Sequence, residues 1–205
     1  MNTASSRVPA AQRRQQILEV ATGLFAQRGF HGTTTREIAE KVGVKEIIVF
    51  RLFPTKRDLY WAVIEAKCVP PPGRKPLVDT LGDGENDRVL FSQMAAAILE
   101  RNMQDMTLTR LLLFSALESH ELTDQFYRTY MADFYKKLAG YIRRRIREGR
   151  FRRVHPLLAA RGFIGMVFYH LLVQELFGGK RYEKFHTEKV AKEITAIWLE
   201  GMTLK

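Results

Sequence analysis

Residues Thr33–Lys56 read TTTREIAEKVGVKEIIVFRLFPTK, and the second half of that stretch poses a problem. KEIIVFRLF is too short for a helix that anchors a core, and too apolar for one that lies bare on a surface. At ~100° per residue, Ile48, Val49, Leu52 and Phe53 share one side of a helix, where they can pack on the two helices before it. Glu46, Ile47, Phe50 and Arg51 share the other side. Ile47 and Phe50 then point away from the small core, beside an arginine, and need a partner surface.

The flanking sequence says which surface. Ile17, Val20, Ala21, Leu24 and Phe25 mark one face of a first helix, which Gly29 ends. Thr34–Glu37 is a capping box opening a second helix, which Gly43 ends. Thr55–Asp58 is another such box, opening a helix whose inner face carries Leu59, Ala62, Val63 and Ala66. Two short helices joined by the tight turn Val42–Gly43–Val44 form a helix-turn-helix. In that motif the second helix enters the major groove of DNA. Apolar side chains there contact thymine methyls, and arginine binds guanine O6 and N7. Ile47 and Phe50 suit the first role, and Arg51 suits a base or phosphate contact. The same residues would also suit a helical hairpin with Ile47 and Phe50 packed on a second domain.

Charge agrees with a polyanionic partner. The 205 residues hold 33 Lys and Arg against 22 Asp and Glu, a net charge of +11. The single cysteine, Cys68, cannot form an internal disulfide and fits a reducing cytoplasm. The start, MNTASSRVPAAQRRQQ, has no apolar signal-peptide core. The longest uncharged stretch, Gly162–Gln174, is shorter than the ~20 residues of a membrane span and reads as a buried helix.

Beyond Cys68 the composition shifts. VPPPGRKP, Val69–Pro76, cannot be helix interior, and the chain stays Gly/Asp-rich to Gly84. The linker Val69–Gly84 exceeds the ~12–15 residues at which an unstructured loop is usually functional or disordered. It divides a domain at 1–68 from one at 69–205. Helical patterns follow at roughly Glu85–Asn102, Asp105–Glu118, Glu121–Gly149, Pro156–Phe177 and Thr187–Met202, with almost no strand signal. The fold class is all-α: a three-helix helix-turn-helix unit followed by a helical bundle.

Enzyme signatures fail. His120-Glu121 begins like a zinc-protease motif, but position 124 is Asp. GDGEND, Gly82–Asp87, reads as a turn. No metal site or cofactor is expected. YIRRRIREGRFRR, Tyr141–Arg153, places seven arginines around one glutamate. It reads as a solvated helix end suited to the dipole, ahead of a second nucleic-acid or membrane patch or an anionic ligand's counter-charge.

The N-terminal stretch from Arg13 to Ala66 resembles the DNA-binding domain of the TetR (tetracycline-repressor-like) regulators. The shared elements are the Ile-Leu…Ala…Leu-Phe pattern of the first helix, Gly29-Phe30, Thr33-Thr34, Ile38-Ala39, Gly43-Val44, Phe53, Lys56 and Leu59. The rest resembles the family only in size, helix count and the closing Leu199–Gly201. The resemblance implies that Thr33, Thr34 and Thr35 bind phosphate at a helix N-terminus. It places Arg36 where some members read guanine, and Lys45, Glu46, Ile47, Phe50 and Arg51 on the recognition helix. Lys56 matches a phosphate contact. Family members commonly carry Ser, Gly and Tyr where this chain has Lys45, Ile47 and Phe50. Lys45 gives up a helix cap, and Phe50 lacks the phosphate-binding hydroxyl. Glu46 is tolerable near phosphates if it accepts from cytosine N4 or holds Arg51; a solvated glutamate is the alternative.

The resemblance also implies an inducer site between the helices of the second domain. Tyr127, Tyr130 and Phe134 form a stripe at i, i+3, i+7, and Trp61, Phe91, Met94, Phe114 and Phe168 lie on neighbouring elements. Such stripes are otherwise plain core. The expectation is a one-component transcriptional regulator, a repressor released by a small hydrophobic ligand. It would be a homodimer through Pro156–Phe177 and Thr187–Met202, reading a palindromic operator in double-stranded DNA. The rival is an effector-independent helical nucleic-acid-binding or scaffold protein.

Overall fold

The computed structural model describes residues 9–69, 86–118 and 120–204. Beyond Val69, the expected linker lies outside the described residues, as does most of Gly82–Asp87. The helices are α1 (Ala10–Arg28), α2 (Thr35–Val42), α3 (Glu46–Leu52), α4 (Lys56–Cys68), α5 (Asp87–Gln104), α6 (Thr107–Glu118), α7 (His120–Phe126), α8 (Ala132–Arg147), α9 (Pro156–Leu171) and α10 (Thr187–Met202). Two π-helical turns, Tyr127–Met131 and Leu172–Leu176, continue α7 into α8 and extend α9.

The described residues form two compact units. The first holds residues 9–69 and 107–124; the second holds 86–106 and 125–204. By its contacts α6 falls in the first unit, whereas a division at residue 68 puts it in the second. Its packing explains why. Arg110 Nε donates to Ala26 O at 2.7 Å, and the buried Tyr60 hydroxyl donates to Leu111 O at 2.7 Å and lies 2.9 Å from Ser115 Oγ. These bonds join α6 to α1 and α4; the chain returns to this unit at Thr107 and leaves it again inside α7.

In the first unit α1 buries Ile17, Leu18, Ala21, Leu24, Phe25 and Ala26. Val20, expected inside, is half-buried, and Ala66 of α4 is exposed while Tyr60 and Ile64 fill the core. Gly29 adopts φ +75°, which favours glycine, and a Cβ there would displace the Glu118 carboxylate, whose Oε1 would lie 2.0 Å away. The Glu118 carboxylate accepts from the His31 backbone N–H at 3.0 Å, pinning the end of α6 to the α1–α2 turn.

The second unit has one main core. Phe91 of α5 sits 4.8 Å from Phe163 of α9 and 4.4 Å from Trp198 of α10, ring centroid to centroid. Leu138 and Ile142 of α8 complete it. The arginine run departs from a plain solvated helix end at one position. Arg145 is buried, and its Nε donates to Asp87 Oδ1 at 2.8 Å while Nη1 donates to Glu148 at 2.8 Å. The Tyr141 hydroxyl also donates to Asp87, at 2.5 Å. A buried guanidinium demands such partners. Arg143, Arg147, Arg150, Arg152 and Arg153 are exposed as expected.

The apolar run around Gly162–Gln174 is longer than its uncharged stretch suggested. Helix Pro156–Leu176, 21 residues, is long and apolar enough to cross a membrane by length and composition. It is buried on one face only, through Ala160, Phe163, Val167 and Leu171. The opposite face leaves Leu158 and Tyr169 exposed, which corrects the expectation of a buried helix.

Candidate nucleic-acid interface

The turn between α2 and α3 is set by Gly43, at φ +75° and ψ 37°. Its N–H and that of Val44 bond back to the end of α2, Val44 N to Ala39 O at 2.9 Å. This ending aims α3 away from α2. Val49 and Phe53 then enter the core, and Ile48 and Leu52 are half-buried. Ile47 is 67% exposed and Phe50 39%. Arg51 and Lys45 are exposed on the same helix or its N-cap. The wheel placement therefore holds for this helix.

The three threonines divide differently from expectation. Thr33 is fully buried and its hydroxyl donates to Gly29 O at 3.0 Å. The Thr35 hydroxyl donates to Glu46 Oε1 at 2.5 Å. Both are committed inside the protein, so their hydroxyls are not the phosphate donors. Thr34 is exposed and caps α2 by accepting from Glu37 N–H at 3.1 Å. Its own proton remains available to a phosphate, as do the first backbone N–H groups of α2. The expected capping box is half-formed, because the Glu37 carboxylate turns to Arg28 at 2.7 Å. The Thr55–Asp58 box is complete.

In the free protein Glu46 bonds to Thr35 rather than to Arg51. It ties the first turn of α3 to the first turn of α2 through Thr35, and being acidic in a first turn it also suits the helix dipole. Arg36 is exposed and pairs with Glu40 at 3.0 Å, an i,i+4 contact of the kind that contributes little to stability. The three carboxylates of this region are thus each engaged internally. Lys41, Lys45 and Arg51 have no ion-pair partner among the described residues, so the exposed face is net positive. Lys56 opens α4 with its Nζ 4.4 Å from the centre of the Phe30 ring. Burial draws its pKa below the usual lysine value, and Glu118 partly offsets this. Glu118, Arg110 and Tyr60, which lock α6 to this unit, have no local spacing signal; their partners lie 51 to 87 residues away in sequence.

The aromatic set does not come together as one group. Trp61 and Phe114 belong to the first unit, with Trp61 Nε1 donating to Glu65 at 2.8 Å. Phe91 and Met94 are fully buried in the core of the second. Phe134 packs against that core, and Phe168 is half-buried. Tyr127 is partly exposed and its hydroxyl accepts from Arg161 at 3.1 Å. Tyr130 stands 5.4 Å from Phe126, ring to ring. Tyr127 and Tyr130 both sit in a π-helical turn, a feature frequent at functional sites. No group of three or more His, Cys, Asp or Glu is clustered for a metal among the described residues.

Comparison with known proteins bears on both units. Residues 17–63 match the model of the bacterial regulatory proteins of the tetR family, and residues 88–200 match that of the AefR-like transcriptional repressor C-terminal domain. The chain is 30% identical over 152 residues to the nucleoid occlusion factor SlmA of Marinobacter nauticus, covering 73% of this chain and 75% of that protein. It is 36% identical over 64 residues to the HTH-type transcriptional activator FasR of Mycolicibacterium smegmatis, 31% of this chain and 29% of that protein, so the latter match spans under a third of the relative's length. Among solved structures, NalD, the secondary repressor of the MexAB-OprM multidrug efflux pump in Pseudomonas aeruginosa, shares the fold at a TM-score of 0.72 and 16% identity, covering 95% of this chain and 97% of that one.

Proposed function

The chain belongs to the TetR family of bacterial regulatory proteins, and from this we infer that it is a cytoplasmic one-component repressor that reads a palindromic operator as a homodimer. The observation that carries the reading is α3. It presents Ile47 and Phe50 to solvent between the unpaired cations Lys45 and Arg51, while Glu37 and Glu46 are held by Arg28 and Thr35. Apolar groups read thymine methyls and arginine reads guanine, whereas backbone N–H groups at α2 and Lys56 position the duplex. Arg36 adds a second base contact once it leaves Glu40.

Dimerisation is supported by the face shared by α9 and α10. Leu158, Tyr169 and Ile197 are exposed there. A shallow apolar trough runs along Val154, Leu158, Gly162, Met166, Ile197 and Gly201. A Cβ at Gly162, Gly165 or Gly201 would meet nothing in the chain, so this face is open to close approach. An apolar surface of this kind marks a protein interface. A hydrophobic effector at the Tyr127, Tyr130, Phe134 stripe would act by favouring one of two states of the dimer. The route to the recognition helix is α6, which is bonded to α1 and α4 and followed by α7, where the chain enters the second unit.

The test is transcription in vitro from promoters whose DNA the purified protein retains. Repression relieved by an apolar compound supports the reading. Retention of all duplexes alike, with no response to any compound, favours the effector-independent alternative.

A further inference from the structure

The second unit contains a cavity of about 350 Å³ between the C-terminal ends of α5 and α9, the connection after α9 and the first turn of α10. It is separate from the Tyr127–Phe134 stripe, none of whose residues line it. Leu99, Met103, Leu171, Phe185 and Val190 give it an apolar wall. Its size and lining fall in the range of small-molecule sites. The wall is braced across the mouth, where the Thr187 hydroxyl donates to Met103 Sδ at 2.9 Å.

The polar edge is asymmetric in charge. Glu175 is taken by Lys180, with which it forms an ion pair. Lys184 also lines the cavity and has no ion-pair partner among the described residues. His186 and Thr187, the N-cap and first residue of α10, line it too, and His186 makes no side-chain cap bond. The dipole and first N–H groups of a 16-residue helix therefore add to Lys184. His170 stacks edge-on against Phe185 at 5.8 Å, and burial lowers its pKa, so at neutral pH it adds no second charge. Gln174 and Glu175 reach the cavity from the π-helical turn Leu172–Leu176, an irregularity that recurs at ligand sites.

We propose that this cavity binds an apolar monocarboxylic acid, its hydrocarbon tail against Leu99, Leu171 and Val190 and its carboxylate at Lys184 and the open N-terminus of α10. A cationic ligand would meet like charge on entry. A neutral one would bury its tail but leave Lys184 and the helix N–H groups with no new partner.

Isothermal titration of the purified full-length chain with octanoate, octanol and octylamine tests this. Octanoate binds, octanol binds at least tenfold more weakly, and octylamine weakest of all. Hexanoate, two methylenes shorter, loses roughly tenfold. Lys184→Glu, at an exposed position, weakens octanoate at least tenfold and removes its advantage over octanol. Val190→Trp, which fills the cavity, abolishes binding, with circular dichroism confirming that the variant folds. Tyr130→Ala leaves octanoate binding intact. No binding of octanoate, equal binding of acid and alcohol, an unaltered affinity in Lys184→Glu, or loss of binding only in Tyr130→Ala would each overturn the proposal. DNA plays no part in the readout, so such a failure leaves the recognition-helix reading standing.

Discussion

Truncating Ile47 to alanine separates a DNA-reading side chain from a structural one. Ile47 is 67% exposed, so about a third of the side chain is buried. Full burial of an isoleucine is worth about 1.5–3 kcal/mol, and the truncation should cost no more than about 1 kcal/mol of stability. Val49, one turn-face away, is fully buried. Its change to alanine removes two methyl groups and leaves a cavity, a cost of about 2–3 kcal/mol. On operator DNA the ranking reverses. Losing the fit to one base pair of a site typically costs about 1–3 kcal/mol, so Ile47→Ala should weaken operator binding by about 5- to 150-fold. Urea unfolding gives the first quantity and fluorescence anisotropy of a labelled operator gives the second. A stability loss of about 2–5 kcal/mol for Ile47→Ala, or an unchanged operator affinity, would refute the argument that this side chain faces DNA.

Arg51→Ala should relax one operator position at a cost of about 1–3 kcal/mol, while Lys56→Ala should weaken all duplexes alike and lower the salt slope by about one; reversed phenotypes in a binding-site competition would exchange the two roles. Glu46→Ala should reduce stability by about 1 kcal/mol and lower affinity without changing the preferred sequence, because its partner is Thr35 rather than a base. An altered base preference in that variant would return Glu46 to the groove. Burial raises the pKa of Tyr60 to about 12, with Ser115 opposing and Glu118 reinforcing; burial and the hydrogen bond to Asp87 likewise raise Tyr141 to about 12. Folding favours the neutral phenols, so their contribution is complete below the ordinary tyrosine pKa near 10 and is lost as pH rises through about 12. Burial also raises Tyr135, so tyrosinate absorbance in the folded protein should show at least three late-titrating groups, one of which disappears in Tyr60→Phe.

The helix-turn-helix was legible because its signals are local. A capping threonine, a glycine that must adopt positive φ and an apolar period of 3.6 residues lie within two dozen residues, and the exposures of Ile47, Val49 and Phe53 follow from them. What escaped depended on distant partners. The hydroxyls of Thr33 and Thr35 look free in sequence, and only the packing of α1 and α3 against α2 reveals that Gly29 and Glu46 use them. The place of α6 rests on Arg110, Tyr60 and Glu118 meeting groups far away along the chain, which no spacing rule detects. Arg145 was hidden in a run of like residues, because nothing local marks which of seven arginines meets Asp87. The apolar face of α9 read as core since composition does not tell whether an apolar side chain finds a neighbour in the same chain.

Selection of bound sequences from random duplex DNA with the purified protein tests the central claim most directly. The account predicts enrichment of a palindrome whose half-sites are centred about one helical turn apart, roughly 34–36 Å, with the enrichment lost in Ile47→Ala and relaxed at one position of each half-site in Arg51→Ala. A pool that stays unenriched, or a selected motif without two-fold symmetry that both variants still bind, would contradict it.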